Sequence, residues 1–205
     1  MINNSSANNK ANYMSKDLSK EKNKLRLLWK ERRREISLNS HDGYEKSFII
    51  NFKKAVGTFR DKIIAGYNPI NHEANCLNLL NFASKEGSKI ALPYTNENKI
   101  LEFREWHFDD PLKKDKLGIL SPSSKKIVIP DVIIIPLLSF DLSGTRLGMG
   151  LGIYDRSLPF YELSDKYGLA FSNQKTKRLI REEHDFLIDG VITEKDFLSF
   201  ERKKN

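Results

Sequence analysis

The sequence predicts an α/β fold in three layers, a mostly parallel sheet flanked by helices and carrying an antiparallel hairpin, on three observations. Asp131-Val-Ile-Ile-Ile-Pro136 is a β-branched run bounded by Pro130 and Pro136, the mark of a strand buried on both faces. From Lys62 onward, strand-like runs alternate with amphipathic helical patterns, the order that builds parallel sheets. The segment Arg146-Leu-Gly-Met-Gly-Leu-Gly-Ile-Tyr-Asp-Arg156 follows that central strand, at the end of the sheet where ligands bind in such folds.

The polar start, Met1 to Ser15, reads as a disordered tail ahead of one domain over residues 16–205. Leu25, Leu28, Trp29 and Ile36 recur at helical spacing and predict a helix docked by that stripe, with Lys22, Arg26 and part of Arg32–Arg34 facing elsewhere. Tyr44, Phe48, Phe52, Ala55 and Phe59 predict a second helix with Ser40 as its N-cap. Lys62–Tyr67 reads as a strand, Glu73–Glu86 as a helix ended at Gly87, and Lys89–Pro93 as the next strand. Asn96-Glu-Asn98 turns the chain into Ile100–Trp106, whose alternation of apolar and charged residues fits an antiparallel strand with one wet face.

Residues 107–130, with Pro111, Gly118 and Pro122, read as a long surface connection. Asp141-Leu-Ser-Gly144 supplies turn chemistry after the central strand. Tyr154–Leu163 begins a helix that Pro159 must either enter in its first turn or end. Tyr167–Ser172 and Ile188–Thr193 complete the strands around a short helix near Thr176–Glu182.

The chain has 205 residues, of which 39% are hydrophobic, enough for one core. No run is long and apolar enough for a membrane span, and a lone Cys76 permits no intrachain disulfide, so a cytoplasmic protein is expected. The net charge of +8 lies wholly in residues 1–60, with 14 Lys plus Arg against 6 Asp plus Glu. On charge alone this fits a solvated helix face or a polyanionic partner, but no RNA-recognition signature accompanies it, and no nucleic acid is expected. His41, His72 and His107 show no zinc-ligand spacing, and His184-Asp185 reads as structural.

The glycine segment carries the chemistry. Gly148, Gly150 and Gly152 let a bulky anion approach main-chain N–H groups that a Cβ would obstruct. The spacing is neither a Walker A loop nor a dinucleotide fingerprint. A glycine cluster can also serve a sharp turn with no ligand. Here Arg146 and Asp155 flank it, a cation for phosphate oxygens and a carboxylate for the magnesium ion that accompanies nucleotide phosphates.

These residues resemble the 5-formyltetrahydrofolate cyclo-ligase family. The resemblance rests on Pro136-Leu-Leu-Ser-Phe-Asp141, Gly144 and the run from Arg146 to Arg156. It extends to Lys22-x-x-x-Arg26, to Tyr67-x-Pro69-x-x-x-Glu73, and to His184-Asp185 followed by Asp189-Gly-Val-Ile-Thr-Glu194, all in the family's order. It implies a Rossmann-like sheet of the cyclo-ligase type. The implied reaction uses ATP and Mg²⁺ to convert 5-formyltetrahydrofolate to 5,10-methenyltetrahydrofolate, releasing ADP and phosphate, with a monomeric enzyme and small-molecule partners only.

Carried over residue by residue, the resemblance makes Lys22 and Arg146 catalytic. It gives ATP contacts to Lys22, Asn23, Lys24, Leu25 and Arg26, and to the stretch Arg146, Leu147, Gly148, Met149, Gly150, Leu151, Gly152, Ile153 and Tyr154. Substrate contacts fall to Asn68, Glu73 and Tyr154, and metal ligation to Asp155 and Asp189. Three positions depart from the family's pattern: Leu151 where Gly or Lys is usual, Ile153 in place of a tyrosine, and Ser121 before Pro122 in place of Glu. Leu151 and Ile153 motivate an alternative, a folate- or nucleotide-binding homologue with reduced or lost turnover.

Overall fold

The computed structural model of the protein describes residues 5–40 and 43–200, with side chains from residue 17 onward. In chain order the elements are α1 (Ser5–Leu38), α2 (Tyr44–Val56), β1 (Ile63–Ala65), α3 (Cys76–Lys85), β2 (Lys89–Thr95) and β3 (Leu101–Glu105). Next come β4 (Leu112–Lys114), β5 (Leu120–Pro122), β6 (Ile127–Val128), β7 (Val132–Pro136), β8 (Ser139–Phe140) and β9 (Arg146–Leu147). The chain continues through α4 (Ile153–Ser157), a 3₁₀ turn at Leu158–Tyr161, β10 (Asp165–Leu169), a second 3₁₀ turn at Ser172–Gln174, β11 (Gly190–Ile192) and β12 (Phe197–Ser199).

Eight strands form one sheet in the order β12-β11-β10-β7-β1-β2-β3-β6. The central five run parallel, while β12, β3 and β6 pair antiparallel at the two sides, the expected hairpin being β2–β3. In β7, Val132 and Ile134 enter the core cluster of Phe52, Leu79 and Leu80 on α2 and α3. Ile133 and Ile135 enter the opposite cluster with Phe103, Phe140, Leu158 and Tyr161. This two-residue alternation across a strand buried on both faces is what the proline-bounded run foretells. Helices α2 and α3 cover one face, whereas the other is covered mainly by α4, the 3₁₀ turn after it and the β8–β9 loop.

Several boundaries differ from the sequence reading. Residues 1–4 of the expected tail lie outside the described residues, and 5–15 form the first turns of α1, which meets no Gly or Pro to break it up to Leu38. Helix α2 has Gly43, at φ 102°, as its N-cap, while the Ser40 hydroxyl donates to the Ser37 carbonyl at the end of α1. Helix α3 begins at Cys76, because Asn71 and His72 adopt left-handed φ of 50° and 63° and the Asn75 side chain caps Leu77 N–H.

The 107–130 connection contains the β4–β5 hairpin and edge strand β6. Asp115 builds the hairpin turn by accepting from the Leu117 and Ile119 N–H groups. The expected helix at Thr176–Glu182 is absent. Thr176 N–H instead bonds to the Phe140 carbonyl and Leu179 N–H to the buried Asp141 carboxylate, tertiary partners that replace helical ones. Pro159 ends α4 as a helix and starts the 3₁₀ turn. Among the described residues, no helix is long and apolar enough to cross a membrane.

Candidate active site

At the carboxyl ends of β1, β2 and β7 lies a cavity of about 850 Å³. Its walls come from α1, the loop after β1, the glycine loop from Arg146 to Arg156, the β4–β5 hairpin and the segment around Asp185. Lys22 and Arg146, far apart in sequence, both face it.

The glycine loop is shaped by backbone that side chains disfavour. Gly150 has φ 98° and Gly152 φ 61°, and a Cβ on Gly150 would lie 3.1 Å from the Arg26 guanidinium carbon. Arg26 therefore packs directly on the loop. Its Nε donates to the Gly148 carbonyl at 3.2 Å and its Nη1 to Asn23 Oδ1 at 2.6 Å. Because α4 is a single short turn behind the loop, cationic side chains rather than a long helix supply the positive field.

Arg146 donates from Nη2 to Asp155 Oδ1 at 2.6 Å and from Nη1 to the Phe186 carbonyl. Asp155 Oδ1 also accepts from Phe186 N–H at 3.1 Å, so one carboxylate oxygen ties the loop to the chain beside Asp185. Lys22, only 5% exposed, donates to Glu182 at 2.6 Å and to Asp185 at 2.5 Å. Burial disfavours charge on Asp185, but the Glu182 N–H and the Lys22 ammonium outweigh it and hold its carboxyl below the usual range. Glu182, His184 and Asp185 each bring one ligand atom within 4.8 Å of the others.

Roughly three helical turns along α1 from Lys22, about 16 Å at 1.5 Å per residue, the cavity changes character. Glu73, Asn68, Tyr67 and Tyr154 line that end. Burial pushes the Glu73 carboxyl above its ordinary range, only partly offset by the Ile70 N–H and by Arg33. Burial likewise pushes both tyrosine phenols upward, so they act here as neutral groups.

Most of the expected site residues converge on this cavity: Lys22, Asn23, Arg26, Asn68, Glu73, and the loop from Arg146 to Asp155. Three do not. Lys24 points to solvent, as its neighbours in the helix repeat require. Leu25 packs on Trp29, Leu138, Leu147 and Leu179, fixing the helix to the loop's root without facing the ligand space. Asp189 sits at the opposite end of the sheet, at the start of β11, where its carboxylate accepts from Lys166 N–H at 2.7 Å. Parallel strands put residues that precede them at the amino ends, away from the cavity.

The acidic group near the loop is instead Asp185, read from sequence as structural beside His184. The sequence reading also passed over Arg33, buried at 1% exposure on the face of α1 that carries Lys22 and Arg26. Its seven-residue step from Arg26, two helical turns, was the available signal. The wall formed by Asp115, Leu117 and Ile119 had no sequence signal beyond the Asp-x-x-Gly turn.

A profile of the 5-formyltetrahydrofolate cyclo-ligase family matches residues 18–194. The chain is 33% identical over 107 residues to the Haemophilus influenzae 5-formyltetrahydrofolate cyclo-ligase, covering 49% of this chain and 56% of that one. It is also 33% identical over 118 residues to the Escherichia coli protein of the same name, covering 53% and 65%. These alignments thus span less than two thirds of either relative. The fold is similar to that of the Aquifex aeolicus 5,10-methenyltetrahydrofolate synthetase, with a TM-score of 0.76 and 29% identity, covering 90% of this chain and 95% of that one. With the profile running from the amino-terminal helix through the last parallel strand, the chain belongs to the 5-formyltetrahydrofolate cyclo-ligase family.

Proposed function

We propose that this protein catalyses the ATP- and Mg²⁺-dependent closure of 5-formyltetrahydrofolate to 5,10-methenyltetrahydrofolate, releasing ADP and phosphate. The observation that carries the reading is the meeting of Lys22, Arg26 and Arg146 around the glycine loop at one end of a cavity whose other end is lined by Glu73 and Tyr154. In this reading the formyl oxygen attacks the γ-phosphorus of ATP, ADP leaves, the neighbouring nitrogen closes the ring on the activated carbon, and phosphate departs. The nucleophiles belong to the substrates, so the protein's task is alignment and charge neutralisation.

Lys22, Arg26 and Arg146 bind the phosphates, and the Gly148–Gly152 backbone lets them approach closely. Glu73 accepts hydrogen bonds from N–H groups of the pterin, while Tyr154 closes the side of the cavity.

The donor set fits Mg²⁺, which takes oxygen ligands and substrate phosphates together. Asp155 and Asp185 are joined through the Phe186 backbone, and Asp155 Oδ2 carries no hydrogen bond among the described residues. Glu182 and Asp185, whose ligand atoms lie within 4.8 Å of each other, would hold the ion, with Asp155 tied to the same segment through Phe186, and the ion when bound neutralises charge on the phosphates. In the same reading the enzyme is a cytoplasmic monomer acting on small molecules.

The competing reading, a homologue that binds without turnover, draws on Leu151 and Ile153. Leu151 is 61% exposed, so its bulk points largely to solvent and leaves the cavity open. The test is formation of the methenyl product, followed by its ultraviolet absorbance, in the presence and absence of ATP. Product that depends on both compounds is expected; a folded protein that binds neither by calorimetry would refute the proposal, and binding without product would select the competing reading.

A further inference from the structure

Arg33 is the most enclosed cation of the site and has no part in the scheme above. It is 1% exposed, its Nη1 donates to the Leu137 carbonyl at 3.2 Å, and its Nη2 donates to the Asn71 carbonyl at 2.8 Å. The same Nη1 stands 3.5 Å from Glu73 Oε1, whose side chain is 5% exposed. Arg33 Nε has no partner among the described residues.

A buried guanidinium is costly. Enclosing one takes several kcal/mol of hydration away, which a well-packed apolar side chain of similar size would not forfeit. Yet this one is spent on two main-chain carbonyls and one carboxylate, which come from two separate parts of the cavity wall. Leu137 follows β7 and leads into the glycine loop. Asn71 and His72 form the turn after β1, held in left-handed conformations that non-glycine residues avoid, and Glu73 leaves that turn with Oε2 accepting from Ile70 N–H at 3.0 Å. Arg33 therefore ties α1, the Glu73 turn and the root of the glycine loop together at a single planar fork.

We propose that Arg33 is a positioning residue: by fixing the Glu73 turn against α1 and Leu137, it sets the distance and angle at which the pterin end of the substrate meets the phosphates held near Lys22. This rests on the proposed function. A lysine could restore the charge beside Glu73, but a single ammonium cannot reproduce the planar fork that spans Leu137, Asn71 and Glu73.

The test compares wild type, Arg33→Gln and Arg33→Lys, each alone and in a Glu73→Gln background. The readouts are KM for each substrate, kcat, calorimetric affinity for a non-hydrolysable ATP analogue, and thermal unfolding. Arg33→Gln is expected to raise KM for 5-formyltetrahydrofolate by roughly tenfold or more, the scale of a lost charge-assisted hydrogen bond, with affinity for the ATP analogue within about twofold. In the Glu73→Gln background the same change should add less than about threefold, because the group it positions is already altered. It should also move the acid limb of the kcat/KM profile for 5-formyltetrahydrofolate to higher pH; Arg33→Lys should return the limb but not KM.

Equal losses for both ligands, or an undiminished effect of Arg33→Gln without Glu73, would make Arg33 a general structural residue and overturn the proposal. If Arg33→Gln does not fold, the folded Arg33→Lys enzyme decides: an unchanged KM for 5-formyltetrahydrofolate overturns the proposal, and a selective rise supports it. A wild-type protein that makes no methenyl product fails the proposed function, and this inference with it. A wild type that turns over beside an Arg33→Gln enzyme with normal kinetics fails this inference alone.

Discussion

The ammonium of Lys22 lies 2.5 Å from Oδ2 of Asp185, a residue 163 positions further along the chain, and the pair is almost closed off from solvent. Lys22 bonds Glu182 as well, so a single cation occupies the space that a metal shared by these carboxylates would fill. In the proposed function the same ammonium would have phosphate oxygens to bind once nucleotide is present.

Replacing Lys22 by Ala should thus separate two effects. Loss of a phosphate partner is expected to lower kcat/KM for ATP by roughly a hundredfold or more. The released Glu182 and Asp185 should bind Mg²⁺ without nucleotide, whereas wild type should need the nucleotide. Titration calorimetry with MgCl₂ alone checks this, and heats identical to wild type would argue that the carboxylates do not face a common ion. Removing one partner of an enclosed ion pair should also cost about 1–3 kcal/mol of stability, measurable by denaturant unfolding.

Asp185→Asn and Asp189→Asn should behave oppositely. Asp185 faces the cavity, and its loss is expected to cut turnover at saturating ATP by at least about a hundredfold. Asp189 holds Lys166 N–H at the far end of the sheet, and its loss should lower thermal stability while kcat changes by less than about twofold. Parallel assays and melting curves on the two variants check the pairing.

The acid side of the stability curve carries a signature of the same contact. Asp185 titrates below its ordinary value of 3.8 in the folded protein, so it adds stability at pH above that value and loses it as pH falls through the depressed one. The Asp185→Asn protein should therefore lose less stability than wild type on moving from pH 5 to about pH 3. Urea midpoints measured across that interval would show the two curves converging.

Gly150→Ala should act through Arg26. The residue has φ 98°, and an added methyl would crowd the guanidinium at 3.1 Å, pushing it off the Gly148 carbonyl. The expected result is a rise of about tenfold in KM for ATP with a stability loss of roughly 1 kcal/mol, read by kinetics and thermal melts.

What the sequence discloses follows the physics of each element. The β7 strand was legible because burial on both faces demands an uninterrupted β-branched run, and the glycine loop because its dihedrals demand glycine. Lys22 and Arg26 were legible as a helical pair. The helix read at Thr176–Glu182 was not real, since the deciding partner, the Asp141 carboxylate, lies on another element and leaves no local pattern. Asp185 and Asp189 illustrate the same limit: both are aspartates near one strand, and only the direction of that strand tells which of them lines the cavity. Arg33 was hidden among Arg32 and Arg34, where three adjacent cations look alike until a fold buries one of them.

The long separation between Lys22 and Asp185 has a consequence for biosynthesis. A ribosome adding about 5–20 residues per second needs roughly 8–33 s to go from the first of these residues to the second. For most of that interval α1 is outside the tunnel with its charged face unmatched, so the cavity of a nascent chain closes only after the last parallel strands have begun to emerge.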